Sequence, residues 1–266
     1  MKISHLSDTI TIKTVSENDT EGVFEVEGLY SGYGLTIGNA LRRALLSSLP
    51  GGAITQFKIK GVAHEFTTVP DIKEDVVEIS INLKQVRFRI HTDEPQVLLL
   101  KVKGDKVVTA GDLEKNSLVE VINPKQPIAT ITTKSGTFEM EVTVEKGLGY
   151  SSVSSRNQEK LGIGVVAIDS FFTPVTKVNY VVENMRVGDR TDFNKLRFEI
   201  ETDGSLSPSS ALHKSANVLR DHFEKVGAVT VQGSVGGVEE KKTKKSKAKE
   251  EEINETKEET TEEEAG

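Results

Sequence analysis

The sequence predicts an α+β fold, and three observations carry that prediction. Strand-like runs outnumber helix-like ones, no regular β–α–β rhythm links them, and only three segments carry the single apolar stripe of a packed helix. Residues 22–30 alternate apolar and polar side chains and read as a strand. A helix follows over about residues 36–48. There Leu35, Ile37, Leu41, Ala44, Leu45 and Leu49 fall near a 3.6-residue stripe, and Pro50-Gly51-Gly52 ends it. Residues 54–62 read as the next strand. After Pro70, Asp71 with Glu74 three positions on predicts a capping-box start to a second helix. Its stripe is Ile72, Val76, Ile79, Leu83 and Val86. Residues 96–103, 137–145, 175–182 and 195–202 are β-branched-rich or alternating, and Asp203-Gly204 is a turn. Ser207-Pro208 then supplies an N-cap and first residue for a third helix running to about Val226. Its stripe is Leu212, Ala216, Leu219, Phe223 and Val226.

Between about residues 51 and 173 only the second helix interrupts many short β segments, punctuated by Gly104, Gly111, Pro124, Pro127, Gly136, Gly147 and Gly149. The flanking segments would complete one small sheet with two helices. The chain therefore parses as a discontinuous domain, 1–50 and 174–228, interrupted by an inserted mostly-β domain, 51–173. Residues 229–266 form a Gly/Lys/Glu tail. From residue 239 on it holds eleven Glu and seven Lys, which is −4 of the chain's −7. With almost nothing apolar to bury, its ordering entropy is not offset, and a solvating tail is expected. A second reading has its lysines, residues 241–249, make weak contact with nucleic acid or an acidic partner.

Composition closes off several classes of function. The 266 residues, 36% hydrophobic, suffice for one large or two small domains. The absence of cysteine removes disulfides, zinc ribbons, iron–sulfur ligation and thiol nucleophiles, and suits a reducing cytosol. The opening MKISHLSDTITIK has no apolar signal core, and no window approaches the ~18 apolar residues of a membrane span. A soluble intracellular protein with no membrane contact is expected. The body outside the tail carries only −3, so it lacks the basic excess that duplex DNA binding usually needs.

The motifs point away from chemistry. Gly32-Tyr33-Gly34-Leu35-Thr36-Ile37-Gly38 lies where a dinucleotide fingerprint would lie, but its spacing is one residue too long. No acid occurs between Glu27 and Glu65 to hold a ribose, and no Walker lysine is present. The glycines are better read as turning the chain into the helix and letting that helix pack closely. His64-Glu65-Phe66-Thr67-Thr68 begins like a zincin without the second histidine, and His5, His91, His213 and His222 are scattered. No catalytic constellation, cofactor site or metal site is expected. Arg42-Arg43, mid-helix in an apolar stretch, is the notable charge pair: 100° apart on the helix, at most one lies squarely on the outward face. Either it snorkels at the surface or it anchors a protein contact.

One long run carries a resemblance. Gly32-Tyr33-Gly34-Leu35-Thr36-Ile37-Gly38-Asn39-Ala40-Leu41-Arg42-Arg43-Ala44-Leu45-Leu46-Ser47-Ser48-Leu49-Pro50-Gly51 resembles the signature of the α subunit family of bacterial RNA polymerase. Val62-Ala63-His64-Glu65-Phe66, Glu74-Asp75-Val76-Val77-Glu78-Ile79 to Asn82-Leu83-Lys84, Gly147-Leu148-Gly149-Tyr150 and Arg190-Thr191-Asp192 with Lys195-Leu196 resemble further motifs in the same order. The resemblance spans residues 1–228. It implies a dimerisation domain interrupted by an inserted β domain, with the first and last helices making a homodimer through Leu41, Leu45, Leu212, Ala216, Leu219 and Phe223. It implies contact with the β subunit by Arg43, His64, Glu65, Glu74 and Asp75, and with β′ by Lys84, Ile168 and Asp169. It implies a scaffold with no cofactor of its own, the catalytic magnesium lying in β′, in the cytoplasm at the nucleoid. Two departures stand out. Leu35 replaces a frequent histidine, and after Val226 nothing periodic remains to build the family's folded DNA-binding domain, so that contact is not expected.

Overall fold

The computed structural model describes residues 10–156 and 162–229; the predicted tail from residue 230 on lies outside them. Met1–Glu224 is one compact unit, and the second, Lys225–Gly266, contributes only residues 225–229 to the description. In chain order the elements begin β1 (Thr11–Glu17), β2 (Glu21–Leu29), α1 (Tyr33–Ser47), β3 (Pro50–Ile59) and α2 (Val76–Leu83). Short strands follow: β4 (Phe88–Ile90), β5 (Gln96–Lys103), β6 (Lys106–Thr109), β7 (Val119–Val121) and β8 (Pro127–Ile131). Then come β9 (Thr137–Leu148), β10 (Tyr150–Ser151), β11 (Val165–Ala167) and β12 (Ser170–Phe171). A long hairpin, β13 (Val175–Val187) and β14 (Arg190–Thr202), leads to α3 (Pro208–Gly227).

Every pairing between these strands is antiparallel, which suits an α+β fold without β–α–β crossovers. The first sheet has the order β1-β2-β14-β13. Its register pairs Phe24 with Phe198 and Val26 with Leu196, while Glu25 meets Arg197 on the opposite face. Period-two alternation thus gives one apolar face, covered by α1 and the start of α3, and one charged face. The second sheet has the order β5-β9-β3-β4-β7, with β11 on β3. Phe138, Met140, Val142 and Val144 of β9 point to its apolar side, where α2 and the β6–β8 ribbon close over them.

Burial separates into two clusters. One lies wholly between Ile54 and Ile168; the other joins residues 24–49 with 175–211. The chain leaves the first sheet after α1 and returns to it after β12, so the mostly-β part is an insertion. Among the described residues no helix is long and apolar enough to cross a membrane.

Two local expectations are corrected. The second helix does not start at Asp71, which has φ 63° and is not helical. Residues 71–74 instead bridge to β8 and the residue after it. Lys73 N–H donates to the Thr130 carbonyl at 3.0 Å, Thr132 N–H donates to the Asp71 carbonyl at 2.9 Å, and Ile72 bridges Ile131. The cap is Asp75, whose carboxylate accepts from Glu78 N–H at 2.6 Å. The first helix starts one turn earlier than predicted, at Tyr33, so Gly34 and Gly38 lie inside it. A Cβ at Gly34 would stand 2.7 Å from Val182 Cγ1, and one at Gly38 2.8 Å from Tyr180 Cδ2. The helix backbone rests on β13, and packing outweighs the ~1 kcal/mol helix cost of each glycine.

Candidate functional site

The candidate contact surfaces lie on α1, α3, the loop before α2, and the ribbon β10–β12. α1 enters through Gly32 with no side-chain cap of its own. Asn194 of β14 serves instead, its Oδ1 accepting from Gly32 N–H at 2.9 Å and Gly34 N–H at 3.4 Å. These amides are thereby committed and offer nothing to a phosphate. On the same helix the two arginines separate. Arg42 donates from Nε to the Val178 carbonyl at 3.2 Å. The exposed Arg43 guanidinium makes no hydrogen bond or ion pair among the described residues. Arg43, not Arg42, is the free cation of the pair.

The expected dimer residues divide. Leu41 and Leu45 are not on an open face: at 9% and 0% exposure they belong to the chain's own core, because that side of α1 lies on the sheet. Leu212 and Leu219 of α3 are half-buried against the same core, Ala216 is exposed, and Phe223 is 66% exposed. The buried residues of α3 are Pro208, Ala211 and Ser215, all in its first half. Its apolar stripe therefore leaves the core as it runs. Leu35 of α1, an apolar side chain the stripe reading had placed inward, is exposed.

The acidic pair before α2 is tied to its own chain. Glu74 accepts from Thr130 N–H at 2.6 Å and from Thr130 Oγ1 at 2.8 Å, and Asp75 caps α2. Both carboxylates hold their own chain together. His64 and Glu65 are exposed in the preceding loop, beside the highly exposed Phe66. Val77 and Ile81 of α2 also face outward, apolar positions off the predicted stripe.

Lys84 and Asp169 come together at 3.6 Å, both half-exposed. The Val153 N–H, 2.9 Å from Asp169 Oδ1, is the main cause holding that carboxyl below its ordinary value. Burial opposes this, and Lys84 and the Tyr150 hydroxyl add to it. Ile168 does not share this exposure. Its side chain is in the core, its N–H donates to the Thr55 carbonyl at 3.0 Å, and its own carbonyl accepts from Arg156. Ile168 positions Asp169, and Asp169 alone faces outward. The Arg190-Thr191-Asp192 motif forms a clamp: Arg190 chelates Asp192 at 3.0 and 2.6 Å and lies over the Tyr30 ring at 4.7 Å.

Sequence reasoning overlooked a pair that the fold creates. Tyr150 and Phe171 face each other across β10–β12, ring centroids 4.9 Å apart, 56% and 47% exposed. The signal available was alternation: Phe172 is buried, so Phe171 must point the other way. Among the described residues no group of three or more His, Cys, Asp or Glu side chains is placed to hold a metal ion.

Residues 57–173 match the RNA polymerase Rpb3/RpoA insert domain. The DNA-directed RNA polymerase subunit alpha of Moorella thermoacetica is 48% identical over 206 residues, 77% of this chain and 66% of that protein. That of Desulforamulus reducens is 49% identical over 214 residues, covering 80% and 68%. That of Alkaliphilus metalliredigens is 44% identical over 230 residues, covering 86% and 72%. The chain belongs to the family of DNA-directed RNA polymerase α subunits. It spans about two thirds of the length of the curated relatives it matches. The inserted, mostly-β part of the fold is thus the insert domain of an α subunit. Members of this family are parts of a nucleotidyltransferase complex.

Proposed function

We propose that this α subunit is a homodimeric scaffold on which β and then β′ assemble, with no catalytic site or cofactor of its own. The catalytic magnesium would lie in β′. Residues 1–50 and 174–228 serve as the dimerisation domain and 51–173 as the inserted domain that meets the large subunits. The single observation that carries the reading is α3, whose apolar stripe is half-buried at Leu212 and Leu219 and then emerges as Phe223. A helix that keeps its stripe after its own sheet has ended is built to pack on something else.

Leu41 and Leu45 support the seam from below, and the contact itself belongs to Leu35, Ala216, Leu219 and Phe223. An obligate dimer of this kind buries on the order of 2,000 Å² or more. Arg43 meets β with its free guanidinium, and so do the exposed His64 and Glu65 of the loop before α2. Lys84 and Asp169 meet β′. Contact of the lysines at 241–249 with nucleic acid is an addition to this role, and they lie outside the described residues.

Phe223→Asp tests the reading, because that side chain is exposed and its replacement leaves the monomer's core intact. Light scattering is expected to show monomers in place of dimers. Leu219→Asp should do the same with some loss of monomer stability. A Phe223→Asp protein that keeps the dimer mass would sink the assigned seam.

A further inference from the structure

We propose that Arg89 is an interdomain latch: its guanidinium fixes the angle between the inserted domain and the turn that leads into α3, and so positions the two parts of the surface that meets β. The consequence for β rests on the scaffold reading above; the latch itself does not.

Arg89 stands on β4 in the inserted domain, and two of its bonds leave that domain. Nε donates to the Ser205 carbonyl at 2.9 Å and Nη2 to the Gly204 carbonyl at 3.0 Å. Nη1 donates to Glu120, its cross-strand partner on β7, at 3.0 Å, which aims the guanidinium. The turn it grips is itself stiff. Asp203 N–H donates to the Pro174 carbonyl at 2.9 Å, and the Asp203 carboxylate accepts from Ser205 N–H at 2.9 Å and Ser205 Oγ at 2.5 Å. Gly204 has φ 85°, and a Cβ there would stand 3.2 Å from Ile122 Cγ2, so the turn lies backbone-first against the inserted domain. α3 begins at Pro208, a few residues on. A guanidinium held at three points fixes direction as well as distance, which a single ammonium does not.

The rest of the junction does not fix that angle by packing. The two buried clusters share no residue. Beside Arg89 lies a cleft of about 190 Å³, lined among others by Gly51, Gly52, Ile90, Leu206, Lys146 and Lys214, in place of a filled apolar seam. Domains joined without a large apolar interface move relative to each other by default. The chain crosses between them near Gly51 and near Phe172, and the crossings lie side by side, since a Cβ on Gly51 would run into the Phe172 carbonyl oxygen. Two adjacent crossings leave a hinge. Arg89 supplies a third attachment that closes it.

In the scaffold reading β meets Arg43 on α1 and His64 and Glu65 in the inserted domain, so its surface draws on both domains. β′ meets Lys84 and Asp169, both in the inserted domain. A latch between the domains pre-organises the first surface and is indifferent to the second.

The test uses the full chain, whose lack of cysteine lets spin labels be placed at will. Val97→Cys on β5 and Asn179→Cys on β13, both exposed positions, put one label in each domain. Excess unlabelled protein is added so that the distance read by double electron–electron resonance lies within one chain. The parent is expected to give one narrow distribution. Arg89→Ala should broaden it about twofold with the melting of both cores little changed, and weaken β capture about tenfold while β′ capture holds. Arg89→Lys should recover part of both, and Glu120→Gln nearly all, because the two carbonyl bonds survive. If Arg89→Ala melts early, Arg89→Met replaces it, keeping the stem and losing the donors. A narrow distribution in Arg89→Ala, or a broad one in the parent, overturns the latch. Broadened distances with undiminished β capture, or with an equal loss of β and β′, overturn its role in assembly. A parent that captures neither large subunit overturns the scaffold reading, while the distance measurement still decides the latch.

Discussion

α2 and α3 are both amphipathic helices lying on antiparallel sheets, yet they finish differently. In α2 the stripe residues Val76, Ile79 and Leu83 are all consumed by the inserted domain's own core. In α3 the matching series of steps begins half-buried at Leu212 and ends exposed at Phe223. The clusters around them differ in the same sense. Among the described residues the inserted core gathers 26 buried apolar residues against 12 around the first sheet, so the insert buries its own helix stripe while the first sheet leaves part of its helix layer exposed. Amphipathic periodicity thus shows that a helix packs; whether it packs within the chain or against a second chain depends on how far the sheet beneath it extends.

The largest effects test this contrast directly. Phe138→Ala in the inserted core and Phe198→Ala under the helices remove fully buried rings and should each cost about 3–5 kcal/mol. Only one of the two cores should then depend on concentration. Calorimetry of the parent at two concentrations is expected to shift the transition that Phe198→Ala lowers, because the proposed dimer would stabilise that core by mass action. The transition lowered by Phe138→Ala should not move. Two transitions that both ignore concentration would break the contrast. A smaller effect sharpens it. Glu74→Ala leaves Thr130 without its acceptor and should cost about 1–3 kcal/mol, read as an earlier melt of the inserted core with β capture retained by the folded protein. Normal melting with lost β capture would restore Glu74 to the contact surface.

These cases also show where the sequence was legible. The α+β class and the three helices follow from periodicity, and the helix ends at Pro50 and Pro208 follow from local chemistry. What a linear reading misses is the direction of a side chain whose partner is distant. Glu74 and Asp75 look like surface acids until Thr130, 56 positions on, accounts for the first and the start of α2 for the second. Ile168 and Asp169 are adjacent, and strand-like alternation sends one to the core and the other to solvent. Leu41 and Leu45 share the stripe that suggested a seam, and the sheet, made partly from residues 175–202, claims them first. Tyr150 and Phe171 are individually ordinary; only the register of β10 on β12 makes them a pair.

The smallest expected effect lies on the outward faces, where the two sheets are alike. On the first, Lys195 bridges Glu25 at 2.7 Å, and Lys13 holds Glu27 at 2.6 Å and lowers its carboxyl below the ordinary range. On the inserted sheet, hydrogen bonds from Lys101 and then Lys60, both at 2.8 Å, pull the Glu139 carboxyl from 4.5 to about 2. A carboxylate whose pKa is lowered by folding stabilises the native state above its unfolded pKa and loses that contribution as it is protonated in the native state. For Glu139 the window runs downward from about 4.5 to about 2. Both lysines are largely solvated, so added salt should shrink the effect. Urea midpoints of the parent should therefore fall between about pH 6 and about pH 3, and Glu139→Gln should fall less over the same interval. Equal falls would mean that the lysines gain nothing from Glu139 and that this face carries charge only for solubility.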